Sequence, residues 1–181
     1  MKRQVFFSFH YDEDVWRVAQ VRNMGVIEGQ ALFNDNGWEK VRYKSEFGIK
    51  AWIDKELKMR SCVVVLVGTQ TASRKWVQYE IEQAWKLGKG IVAIHIHNLS
   101  SQGGKQSSKG KNPLSDFYIN KKTNDISRKS YSTDIDEIRL DYVCKTYDSP
   151  YILSQNVYHD IQNNIARLIE EAISIRNKYP K

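Results

Sequence analysis

Cysteine appears twice and proline three times in these 181 residues, too few cysteines for the multi-bridge framework that holds small secreted domains together. Cys62, inside SCVVVLVG, and Cys144, in IRLDYVCKTY, read as reduced, partly buried thiols. Neither has a second Cys or a His at ligand spacing, so no metal site is expected. His95 and His97 in IHIHN read as a half-exposed strand end. No apolar run approaches the roughly 18 to 20 residues of a membrane span. The start, MKRQVFFSFH, is basic, but Ser8 and His10 cut its apolar stretch too short for a secretory signal. The expectation is a cytoplasmic protein without membrane contact.

With 41% hydrophobic residues, the chain suits one core, so 1–181 reads as a single domain. The formal net charge of +7 invites a nucleic-acid reading, and its distribution argues against it. Between Asn98 and Ser130, seven basic residues (Lys105, Lys109, Lys111, Lys121, Lys122, Arg128, Lys129) face two acidic ones (Asp116, Asp125), which places +5 of the +7 in one segment. That segment, about 98–130, is rich in Gly, Ser and Lys and reads as a flexible basic surface insertion. A solvated loop and a phosphate-binding loop are both compatible with it.

Elsewhere, strand-like and helix-like segments alternate, the pattern of an α/β fold with a largely parallel sheet. The sequence suggests strands at Gln4–Phe9, Ala31–Phe33, Cys62–Val67 and IVAIHI. A fifth is suggested where Ile138, Leu140, Tyr142 and Cys144 alternate with polar residues. Helices are expected from about Asp12 to Met24, with Val15, Ala19 and Arg22 flanking its apolar side, and over Glu46–Leu57 on Ile49, Ile53 and Leu57. A third should follow Thr71 or Ser73, either of which could cap it, and a last carries Ile161, Ile165, Leu168, Ile169 and Ala172. The result is a flavodoxin-like, doubly wound domain around a five-stranded, mainly parallel sheet, whose ligand crevice opens beyond the carboxyl ends of the strands.

Three occupants of such a crevice are excluded by what stands at those ends. A phosphoacceptor domain needs an acidic cluster after the first strand and an Asp after the third; here those places read Ser8-Phe9-His10 and Gly68-Thr69-Gln70. The Thr/Ser/Gly loop that cradles a flavin phosphate is replaced by FHYDED. Neither G-x-G-x-x-G nor G-x-x-x-x-G-K-S/T occurs there.

In SRKWVQYEIEQAWKLGKG, Val77, Ile81, Ala84 and Gly88 define the buried stripe, while Glu82 and Lys86 point away. Glu80 flanks the stripe one turn after Trp76. A Trp can pack on a nucleotide ring while a carboxylate accepts from ribose hydroxyls and stabilises cationic charge at the anomeric carbon. Spacing alone favours an exposed helical glutamate.

VFFSFHYDED followed by SCVVVLVGTQTASRKWVQYEIEQAWKLGKGIVAIHI resembles the TIR domain, and in particular the TIR-like ThsB family of the bacterial Thoeris antiphage system. The W-x-x-x-E element followed by G-K-x-I-V-x-I carries most of the likeness. The resemblance implies that Glu80 is the catalytic carboxylate of an enzyme that breaks the nicotinamide–ribose bond of NAD. It also implies that Phe9, His10 and Trp76 line the nucleotide site, with NAD as substrate rather than cofactor. In FNDNGWEKVRYKSE it marks Trp38 as a candidate stacking residue and Lys44 as a candidate phosphate contact. Thr69 and Ser73 border the crevice, where substrate contacts and ordinary turn roles are both open.

The implied product is a cyclic ADP-ribose-type signal, diffusing to a separate effector protein, with a homo-oligomer formed on activation. Two other readings remain: a non-catalytic self-association module, and a basic nucleic-acid-binding domain.

Overall fold

The densest apolar stretch of the chain, CVVVLV, becomes the centre of its main sheet. In the computed structural model, which describes residues 3–27, 44–128 and 136–180, strands β1 (Val5–Ser8), β2 (Cys62–Val67) and β3 (Gly90–His95) are each buried along their whole length. With a later two-residue strand, β7 (Thr146–Tyr147), they form a parallel sheet in the order β1-β2-β3-β7. Burial on both faces is what lets β2 run without polar alternation.

Helix α1 (Tyr11–Asn23) follows β1, α2 (Glu46–Lys58) precedes β2, α3 (Lys75–Lys86) joins β2 to β3, and a long helix near the C-terminus covers Ser154–Asn177. The sheet's pleat sorts its side chains between two cores. Phe6, Val63, Val65, Val67, Ile91 and Ala93 meet Ile49, Ile53 and Leu57 of α2 and Val77, Ile81 and Ala84 of α3. Val5, Phe7, Val64, Leu66, Val92 and Ile94 meet Val18 and Val21 of α1 and the Ile161–Ala172 stripe of the long helix. Each fully buried Val, Leu, Ile or Phe contributes roughly 1.5–3 kcal/mol, so this two-sided sandwich is what fixes the strand ends in space. Gly88, at φ 74°, supplies the left-handed turn that ends α3.

Several expectations are corrected. The suggested fifth strand divides: β6 (Glu137–Arg139) pairs with β4 (Tyr118–Asn120), which also pairs with β5 (Ile126–Ser127), in a separate antiparallel sheet of three strands. The chain then turns into the short helix α4 (Leu140–Val143), and the parallel sheet has four strands among the described residues. Leu140, Val143 and Cys144 are buried while Tyr142 is exposed, because i, i+3, i+4 spacing fits one turn of helix as well as alternation fits a strand. The long helix, Ser154–Asn177, is α5. The Ala31–Phe33 strand lies outside the described residues.

Helix α1 buries Asp14, Arg17, Val18 and Val21, not the Val15, Ala19, Arg22 side. A charged pair sits in its stripe because Arg17 meets Asp14 at 3.1 Å and donates to the carbonyls of Leu99 at 2.8 Å and Lys105 at 3.1 Å. His95 and His97 are buried rather than half-exposed, their rings 5.7 Å apart. The segment 98–128, read as flexible, is anchored. Leu99, Leu114, Phe117 and Ile119 are fully buried, and Thr69 Oγ1 donates to the Ser108 carbonyl at 2.8 Å. Three of its lysines are paired, Lys109 with Asp148 at 2.7 Å and Lys111 and Lys122 with Asp116 and Asp136. No helix among the described residues is long and apolar enough to cross a membrane.

Candidate active site

At the carboxyl end of β1 the pleat turns Ser8 toward α3, on the same side as Phe6, and Ser8 is fully buried. Its hydroxyl donates to Glu80 Oε2. Glu80 lies on α3 between Val77, Ile81 and Ala84 and is 5% exposed, so the flank position read from spacing is a buried one. A carboxylate in such a place is poorly solvated, and burial pushes its pKa from 4.5 up to about 8, with the Ser8 hydroxyl pulling the other way. The group therefore titrates near neutral pH, which suits chemistry better than structure.

Glu80 faces a cavity of about 200 Å³ lined by Phe7, Phe9, His10, Tyr11, Asp12, Arg74, Trp76, Val77 and Glu80. Trp76 forms one wall. Its ring packs edge-on against Tyr79 at 6.1 Å, with Lys75 Nζ 5.1 Å from the indole centroid, and Tyr79 is held in turn by its hydroxyl donating to Asp54 at 3.0 Å. His10 lies between two carboxylates, Nδ1 3.5 Å from Glu13 Oε2 and Nε2 4.0 Å from Asp12 Oδ2, and its Nδ1 is buried without a hydrogen-bond partner. Phe9 and Tyr11 lie 6.1 Å apart. The cavity combines aromatic walls with one buried carboxylate at its base and one guanidinium at its lining.

Phe9, His10, Trp76 and Glu80 are thus brought together. Thr69 and Ser73 are not among the lining residues. Thr69 bonds the Ser108 carbonyl and Ser73 Oγ donates to the Gln70 carbonyl at 2.9 Å. Neither Thr71 nor Ser73 caps α3. Arg74 occupies that position without a side-chain cap, and Thr71 Oγ1 instead accepts from Gly68 N at 2.8 Å. Lys44 is exposed ahead of α2 and does not line the cavity. Trp38 lies outside the described residues.

Sequence reasoning missed Ser8 and Arg74. Ser8 had one legible signal, a hydroxyl two residues after Phe6 on the inward face of a buried strand. Among the described residues no group of three or more His, Cys, Asp or Glu is placed to hold a metal.

Residues 6–101 match the family described as Thoeris protein ThsB, TIR-like domain. A curated relative from Bacillus cereus (strain MSX-D12), named "Putative cyclic ADP-D-ribose synthase ThsB1", is 37% identical over 119 residues, covering 63% of this chain and 62% of the relative. The chain thus matches less than two thirds of that protein's length. Among solved structures, a conserved protein from Enterococcus faecalis V583 is 18% identical with a TM-score of 0.39, covering 56% of this chain and 66% of that one. The CMP N-glycosidase BcmB of Clostridium botulinum is 12% identical with a TM-score of 0.46, covering 89% and 98%. Both scores are too low to bear on function.

Proposed function

The chain belongs to the TIR-like domain family of Thoeris ThsB proteins, and from that premise we propose that it consumes NAD, breaking the nicotinamide–ribose bond to make a cyclic ADP-ribose-type signal in antiphage defence. The observation that carries this reading is the Glu80–Ser8 pair at the base of an aromatic-walled cavity. The name of the Bacillus cereus relative supports the choice of product. The signal would diffuse to a separate effector, and NAD is substrate, not a resident group.

The chemistry follows from the charge of the parties. With a pKa of about 8, Glu80 holds its proton at neutral pH until substrate arrives. NAD brings a pyridinium cation. A unit charge about 4 Å away is worth roughly 4 kcal/mol at an effective dielectric constant of about 20, or about three pH units. That nearly offsets the shift imposed by burial, so substrate binding ionises Glu80. Ser8 occupies Oε2, leaving the second oxygen for the ribose hydroxyls. As the C1′–N bond lengthens, its electron pair leaves on nicotinamide, which departs neutral and needs no proton. Positive charge moves to C1′, where the carboxylate stabilises it.

Trp76 and Phe9 wall the cavity and keep water from the developing cation, which favours capture by a nitrogen of the same molecule's adenine over hydrolysis. Nicotinamide release from NAD, followed by mass spectrometry of the ribosyl product and repeated with Glu80→Gln, tests the reading. Unchanged turnover in Glu80→Gln would sink it.

A further inference from the structure

The 200 Å³ cavity falls below the roughly 300–1,000 Å³ of pockets that enclose a drug-sized ligand. A dinucleotide whose nicotinamide ribose reaches Glu80 must therefore leave its pyrophosphate at or beyond the rim. Two anionic phosphates there require a cation. Among the nine described lining residues, Arg74 is the single permanently cationic side chain, and Asp12 and Glu80 are the carboxylates.

The neighbouring Lys75 is already engaged, 2.8 Å from Glu46 Oε2 and stacked on Trp76. Arg74 is half-buried; one terminal nitrogen donates to Gln70 Oε1, while Nε is buried without a hydrogen-bond partner. A buried N–H left unpaired costs free energy, and a second acceptor would remove that cost. The guanidinium fork, held from one side by Gln70, suits a phosphate's paired oxygens better than an ammonium would.

From these observations we propose that Arg74 binds the pyrophosphate of the dinucleotide at the cavity mouth and sets the preference for dinucleotides over phosphate-free nicotinamide ribosides. The proposal rests on the reading of the Glu80 cavity as the nicotinamide–ribose site. Arg74 orients the substrate from its non-reacting half. Charge is divided accordingly: carboxylates meet the pyridinium end and the guanidinium meets the phosphates.

The test is calorimetric binding of NAD and of nicotinamide riboside to the full chain carrying Glu80→Gln, so that neither ligand is consumed, with Arg74 intact or replaced by Ala or Lys. The expected result is a weakening of NAD binding by tenfold or more with Arg74→Ala, partial recovery with Arg74→Lys, and riboside binding unchanged within twofold. A merely structural role for Arg74 would move both ligands together, and that result overturns the proposal. Equal NAD affinity with and without Arg74 also overturns it, while leaving the cavity's reading in place provided Trp76→Ala weakens both ligands. No NAD binding, or binding indifferent to Trp76→Ala, overturns both.

Discussion

Replacing Glu80 with glutamine should stabilise the fold while removing turnover, and the gain should grow with pH. The sign follows from the direction of the shift. Glu80's folded pKa, about 8, lies above its ordinary 4.5, so the native state binds the proton more tightly than the unfolded chain. The wild type therefore loses stability as pH rises from the lower value through the higher one. Glutamine keeps an acceptor oxygen for the Ser8 hydroxyl and never ionises. At pH 5 the linkage difference is only about 1 kcal/mol; at pH 7 it reaches roughly 3 kcal/mol, at 1.36 kcal/mol per unit. For a chain of this length that is on the order of 6–12 °C in Tm. Thermal or urea unfolding of both proteins from pH 5 to pH 8.5 measures it. A variant whose advantage does not widen with pH, or one less stable throughout, would refute the account of Glu80 as a carboxyl held out of water.

Other outcomes follow from the same geometry. Ser8→Ala removes the hydroxyl that favours ionised Glu80, so the acid limb of the kcat/KM profile, which reports the free enzyme, should move to higher pH and kcat/KM at pH 7 should fall severalfold, with kcat at pH 7 much less affected. NAD binding at pH 7 should release close to one proton from the wild type and none from Glu80→Gln, read as the dependence of calorimetric enthalpy on buffer ionisation. His95, whose pKa burial lowers from 6.5 to about 4, is neutral when folded. It should cost stability as pH falls from 6.5 toward 4, by up to about 3 kcal/mol, and His95→Gln should flatten that limb in acid unfolding. Arg17→Met leaves Asp14 buried without its partner. It should cost about 3–5 kcal/mol and expose 98–111 to limited proteolysis.

The elements legible from sequence were those whose burial is apolar and periodic: CVVVLV, the Ile49–Ile53–Leu57 stripe and the Ile161–Ala172 stripe all fold as their spacing implies. Glu80 was reached through the resemblance around W-x-x-x-E, since periodicity placed it only at a flank. What escaped depended on partners distant in sequence. The burial of Asp14 and Arg17 had no local signal, because the carbonyls of Leu99 and Lys105 that Arg17 donates to lie 82 and 88 residues away. Ser8 read as an interruption in an apolar run because its partner lies 72 residues away. Around Leu140 two periodicities fit the same residues, and the pairing of Glu137–Arg139 with β4 decided between them.

The pairing of Ser8 with Val65 in the β1–β2 register makes the candidate site a check on how the sheet was assembled. A strand slipped by one residue turns every side chain to the opposite face, and Ser8's neighbours on both sides are phenylalanines. A misregistered β1 would set a ring against Glu80 in place of a hydroxyl, leaving the carboxyl with no donor to favour its charged form. Copies with a slipped β1 would then lack the Glu80–Ser8 pair on which the proposed activity rests, so correct register and a competent site would appear together.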